Sequence, residues 1–147
     1  MYLAHPVFTH YRWYGASVQR EHVSKALRHL LGDGIGFVSN LPSQARANLM
    51  EQPGEGRYVL HLLYANKILR GGEKRDMGDN HGSRCVEVIE GLEPLHDVRV
   101  SLALPRRVER VTLEPQGEEI AFSLVNGRLE FVVEKFACHQ MVVCHYE

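Results

Sequence analysis

From Ala45 onward, apolar residues recur at every second position in short stretches separated by turn residues, which is the pattern of antiparallel β structure. Tyr58 through Ala65 is apolar on both faces, as a central strand is. Val98, Val100, Leu102 and Leu104 alternate with Arg99, Ser101 and Ala103, as in a strand with one buried face. Further strands are predicted at Arg46 to Glu51, Cys85 to Ile89, Arg107 to Glu114 and His139 to Tyr146. Asn126-Gly127 readily takes positive φ at both positions and so closes a two-residue hairpin. Counting outward places Leu124 opposite Leu129, Phe122 opposite Phe131 and Ile120 opposite Val133, with Ser123 and Glu130 on the other face.

The N-terminal part has a different period. Val23, Ala26, Leu27, Leu30 and Leu31 recur at three- and four-residue steps and predict one helix over 17–31, the only one expected, with Ser17 as its N-cap. Gly32-Asp33-Gly34-Ile35-Gly36 stops it, and Asn40-Leu41-Pro42-Ser43 reads as a linker. The expected organisation is therefore an N-terminal segment, 1–43, followed by a β domain, 44–147. Its fold class is mainly β: an immunoglobulin-like antiparallel sandwich of seven or eight strands preceded by one N-terminal α-helix. The polar, Gly-rich stretch 71–84 reads as an exposed, mobile loop.

Composition narrows the function classes. At 147 residues, 44% apolar and 24% charged, the chain is an ordinary globular protein able to bury a core. Lys plus Arg number 17 against 18 Asp plus Glu, so there is no excess positive charge for a phosphate backbone, and nucleic acid is not an expected partner. Nine histidines make charge and assembly sensitive to pH near 6. Cys85, Cys138 and Cys144 are an odd set matching no disulfide framework, which favours a reducing, cytoplasmic setting. The beginning Met1-Tyr2-Leu3-Ala4-His5-Pro6 lacks the pattern of an export signal, and no stretch of about 18 apolar residues suggests a membrane span.

Several groupings bear on chemistry. Cys138-His139 and Cys144-His145 carry zinc-type donors, with His81 a conceivable outside ligand. On one strand, however, the two cysteines would lie about 20 Å apart and the histidines would face the other way, so no metal is expected. The glycine run follows a helix instead of preceding one, so it does not make a nucleotide loop, and no cofactor is expected. Glu87, Glu90, Glu93, Asp97, Glu118 and Glu119 fall on solvent-facing positions or turns, not in the opposed pair that glycoside hydrolysis needs. No catalytic residues are assigned; a small enzyme using His61, His96 or His139 with nearby carboxylates is the remaining catalytic alternative. Tyr11, Trp13 and Tyr14 are the candidate contact residues, either stacking on carbohydrate or packing at an interface.

Three strings carry a family resemblance: Arg57-Tyr58-Val59-Leu60-His61-Leu62-Leu63-Tyr64-Ala65, Val86-Glu87-Val88-Ile89-Glu90-Gly91-Leu92-Glu93-Pro94-Leu95 and Cys138-His139-Gln140-Met141-Val142-Val143. They resemble the C-terminal β domain of bacterial glycoside hydrolases that carry a β-galactosidase trimerisation domain. Tyr2 to Phe8 and Asn40 to Ser43 resemble the end of the trimerisation domain and the linker out of it. The resemblance implies a non-catalytic accessory and assembly domain, because the catalytic carboxylates of such enzymes lie in an upstream barrel. It also implies an upstream catalytic domain or a second copy as partner, since Val7, Phe8, Trp13, Leu27, Leu30 and Leu31 need a covering surface. A carbohydrate-binding module is the alternative.

Overall fold

The structure is a computed structural model that describes residues 5–70 and 86–147. The stretch 71–84, read above as a mobile loop, lies outside the described residues, as does Cys85. The chain divides into two compact units, Met1–Phe37 and Val38–Glu147. Among the described residues no helix is long and apolar enough to cross a membrane.

The first unit contains α1 (Val7–Tyr14) and α2 (Ser17–Leu31). The second is the helix that the three- and four-residue spacing predicts. Two expectations are corrected. Among the described residues the N-terminal part holds two helices, not one: α1 is only eight residues, about two turns, too short for a three- and four-residue period to stand out in the sequence. Ser17 is the first helical residue, not the cap; Ala16 occupies the cap in extended conformation, with no side-chain capping bond. Gly15 ends α1 in the left-handed region, and its N–H donates to the Tyr11 carbonyl at 2.8 Å.

The strands are β1 (Phe37–Ser39), β2 (Arg46–Gln52), β3 (Arg57–Tyr64), β4 (Ile68–Arg70), β5 (Val86–Val88), β6 (Leu95–Leu102), β7 (Val108–Glu114), β8 (Glu118–Glu119), β9 (Phe122–Val125), β10 (Arg128–Phe136) and β11 (Cys138–Tyr146). They form a four-stranded sheet ordered β1-β6-β10-β9, a five-stranded sheet ordered β2-β3-β11-β7-β8 and a β4-β5 ribbon. The result is mainly β, antiparallel and sandwich-like, as expected. Among the described residues there are eleven strands where seven or eight are predicted, because β1, β4 and β8 are only three, three and two residues long and too short to show a period. Leu60, Leu62, Val111 and Val142 from the larger sheet and Leu102, Leu129 and Val133 from the smaller are essentially sealed from solvent.

The Asn126-Gly127 hairpin has its predicted register: Leu129 pairs with Leu124, Glu130 with Ser123 and Phe131 with Phe122. Asn126 and Gly127 both take positive φ, 50° and 76°. The third expected pair does not form. The Ile120 N–H donates to the Val111 carbonyl at 3.0 Å, so the chain is still bound to the five-stranded sheet there, and Val133 pairs with Val98 of β6. The crossing between sheets at Ile120–Ala121 sets the length of the hairpin.

Asn40 supplies a side-chain substitute for ladder bonds. Its Nδ2 donates to the Asp97 carbonyl at 3.0 Å, and its Oδ1 accepts the Arg99 N–H at 2.8 Å. This amide brackets the point where Asp97 turns to φ 51°. At Gly56 the backbone closes on itself: φ is 60°, the Tyr146 N–H donates to its carbonyl at 2.8 Å, and an added Cβ would stand 2.8 Å from the Tyr146 oxygen.

Candidate functional site

Tyr11, Trp13 and Tyr14 all lie on α1 and are 42%, 60% and 79% exposed. At about 100° per residue, Tyr11 and Tyr14 are about 60° apart around the helix, while Trp13 is about 100° from Tyr14 and about 160° from Tyr11. His10 meets Tyr14 edge-on, with ring centroids 6.2 Å apart. All three candidate rings are therefore exposed, with Phe8 a fourth on the same helix, but they are distributed around α1 and do not lie along one sheet face. That geometry offers apolar contact in several directions more readily than a flat stacking platform.

An open groove of about 1150 Å³ lies in the Val38–Glu147 unit, beside the segment that crosses between sheets. Asp97, Glu118, Glu119, Glu130 and Glu134 line it together with Arg99 and Asn40. Asp97, Glu118, Glu119 and Glu134 are exposed, so water screens their charges. Glu130 is half-buried and accepts a hydrogen bond from Ser101 Oγ at 3.3 Å. Ser101 Oγ in turn accepts one from Arg128 Nε at 2.8 Å. None of these carboxylates sits in the apolar enclosure that holds a general acid protonated at neutral pH. Glu87 and Glu90 are exposed and pair with Lys67 and Arg70 across the β4-β5 ribbon.

The outer face of the five-stranded sheet carries what the sequence did not reveal. His61 Nδ1 lies 3.0 Å from His139 Nε2, with the rings within 10° of parallel and their centroids 5.2 Å apart. On the same face Thr112 Oγ1 donates to Glu114 Oε1 at 3.0 Å and lies 3.4 Å from His145 Nε2. Burial, and then the Arg110 and Arg57 guanidiniums, lower the pKa of His145 below the ordinary imidazole range, against an opposing pull from Glu114. His96, by contrast, is exposed on β6 opposite Lys135.

The cysteines behave differently from one another. Cys144 is fully buried, and desolvation pushes its thiol up to about 12, so it is chemically quiet. Cys138 is exposed, at φ 64° where β11 begins. Among the described residues no three His, Cys, Asp or Glu side chains converge as a metal cage.

The class defined so far is a β-sandwich unit joined in sequence to a helical pair, with an open groove and exposed aromatic rings. Neither a protein-family model nor a curated protein matches the chain. Among solved structures it is similar to alpha-L-fucosidase isoenzyme 2 from Paenibacillus thiaminolyticus, at 41% sequence identity and a TM-score of 0.81 over 96% of this chain. The match takes up 20% of that enzyme, so the chain spans about a fifth of its length. The resemblance to part of a glycoside hydrolase therefore holds at the level of sequence and fold.

Proposed function

We propose that this chain is a non-catalytic accessory and assembly domain of a glycoside hydrolase-like protein whose catalytic residues lie outside it. The similarity to one fifth of a fucosidase carries this reading. Because the similar enzyme is a fucosidase, an α-L-fucoside stands beside a β-galactoside as a substrate to try with any longer protein that carries this chain. The exposed setting of Asp97, Glu118, Glu119 and Glu134, with Glu130 half-buried against Ser101, supports a non-catalytic role. Activity assays of this chain on fucosides and galactosides are expected to be blank. Turnover abolished by substituting a single carboxylate would overturn the proposal.

The helical unit is the contact surface in this reading. It exposes Leu27, Leu30, Leu31, Trp13 and Tyr14, and the partner is an upstream catalytic domain or a second copy of the chain. Light scattering at high concentration separates these: self-association supports a second copy, while a monodisperse monomer with a protease-labile helical unit leaves the catalytic domain as partner. The free thiol of exposed Cys138 fits the reducing cytoplasm expected from the cysteine count. A carbohydrate-binding module is the second reading, favoured by the exposure of Trp13 and Tyr14. Titration calorimetry with fucose and galactosides tests it, and absence of heat removes it.

A further inference from the structure

We propose that His61, His139 and Met141 form a surface copper(I) site on the outer face of the five-stranded sheet. In the antiparallel pairing of β3 with β11, Met141 stands directly opposite His61, and His139 lies two residues away on the same strand. Alternation therefore puts the two imidazoles and the thioether on one face. Leu60 and Leu62 of β3 and Gln140 and Val142 of β11 take the other face, in the core.

The separation of the ring nitrogens suits a chelate. Two nitrogens bound at about 2.0 Å to a three-coordinate, near-trigonal copper(I) ion lie about 3.5 Å apart. His61 Nδ1 and His139 Nε2 are 3.0 Å apart. The rings now lie within 10° of parallel, so taking up an ion requires both to turn about their side-chain bonds and the nitrogens to part by about 0.5 Å, which gives up the contact between them. His139 is exposed and His61 half-buried, so the ion has a path from solvent.

The donor set decides the metal. Thioether sulfur is soft and imidazole borderline, a combination that favours copper(I) over magnesium, calcium or manganese. Zinc would want further nitrogen, thiolate or carboxylate donors, and no such group of three converges among the described residues. In the row of His61 and Met141 the neighbours are Asn48 on β2 and Glu114 on β7; in the row of His139 the exposed Arg46 of β2 stands beyond Leu63, its guanidinium donating to the Ala45 carbonyl at 3.1 Å.

The test is an anaerobic titration of the folded chain with copper(I) against a chromogenic chelator such as bicinchoninate. It is done with Cys85→Ser and Cys138→Ser in place so that those thiols cannot compete. One equivalent is expected to be withdrawn from the chelator. His61→Ala and His139→Ala should each weaken binding by at least about tenfold, since each leaves a single imidazole in place of a chelate. Met141→Leu should weaken copper(I) binding but leave nickel(II) binding by the histidine pair unchanged. Far-ultraviolet circular dichroism confirms that each variant is folded, and His139→Asn replaces any that is not. The proposal is overturned if the Cys85→Ser/Cys138→Ser chain, whose remaining thiol is the buried Cys144, withdraws no copper, or if adding His61→Ala with His139→Ala leaves as much withdrawn.

Discussion

Apolar side chains meet opposite fates in the two units. In Val38–Glu147, Leu60, Leu62, Leu102, Leu129, Val111, Val133 and Val142 are all below 2% exposed. In Met1–Phe37 only Val7 and Ala26 are buried among the described residues, while Phe8, Trp13, Tyr14, Val18, Leu27, Leu30 and Leu31 keep between 51% and 79% of their surface in water. Two stacked sheets close an interior of their own, but helices of eight and fifteen residues cannot. Helices this short are marginal in water unless an apolar face is packed. The sandwich should therefore hold its fold by itself, whereas the helical unit depends on whatever covers it.

The sharpest way to break that contrast is to damage the sandwich. Leu60→Ala removes a fully buried side chain from a central strand, and about 2–5 kcal/mol of stability should go with it. Urea unfolding followed by the β signal in circular dichroism reads this directly. A loss below about 1 kcal/mol would mean that the interior is looser than the burial implies. Gly56→Ala is next. It forces an L side chain to φ 60° and pushes a Cβ against the Tyr146 carbonyl, for an expected cost of about 2 kcal/mol in the same measurement.

Smaller effects come from titration, of Cys144 and His145 on β11 and of Tyr58 on the adjoining β3. The Cys144 thiol is raised from 9.0 to about 12 by burial. The folded state therefore holds its proton longer than the unfolded state, and the associated stability is full below about pH 9 and lost as pH rises toward 12. Buried Tyr58, raised first by desolvation and then by Glu51, acts in the same direction. His145 has the opposite sign: its pKa is lowered from 6.5, so the folded state resists protonation and stability falls as pH drops below about 6.5. His145→Gln should flatten the acid side of the stability profile and leave the alkaline side unchanged. A thiol reagent at pH 8 should label exposed Cys138 well before Cys144.

Legibility follows the range of the interactions involved. The register of β9 against β10 was readable because Asn126-Gly127 fixes it within a few residues of every side chain it pairs. Ile120 was misplaced because nothing local marks where the chain leaves one sheet for the other; that depends on its bond to Val111. The helix α2 is visible as a stripe over fifteen residues, whereas α1 has only eight, too few for its Val7, Tyr11 and Tyr14 spacing to be told from chance. The ring residues Tyr11, Trp13 and Tyr14 were identifiable as a group, but their angular spread needed the helix. His61 and His139 are 78 positions apart, and only the pairing of β3 with β11 brings them together. Alternation could show that each faces outward, but not that they meet.

The gentlest perturbation separates the units most cleanly. Leu27→Asp with Leu30→Asp places two charges on a stripe already 51% and 59% exposed, so the sandwich transition in urea should move by less than about 0.5 kcal/mol. The same pair should abolish any association through the helical unit, because burying an unpaired carboxylate at an interface costs several kcal/mol. Trp13 is the single tryptophan and lies on α1, so its emission reports on that unit alone. In the parent chain its emission should shift to the blue as concentration rises or when a catalytic domain is added, and in the double variant it should stay that of a solvated indole. If the two charges instead destabilised the sandwich as much as Leu60→Ala does, the units would be one cooperative body, and the contrast between a closed interior and an open apolar face would fail.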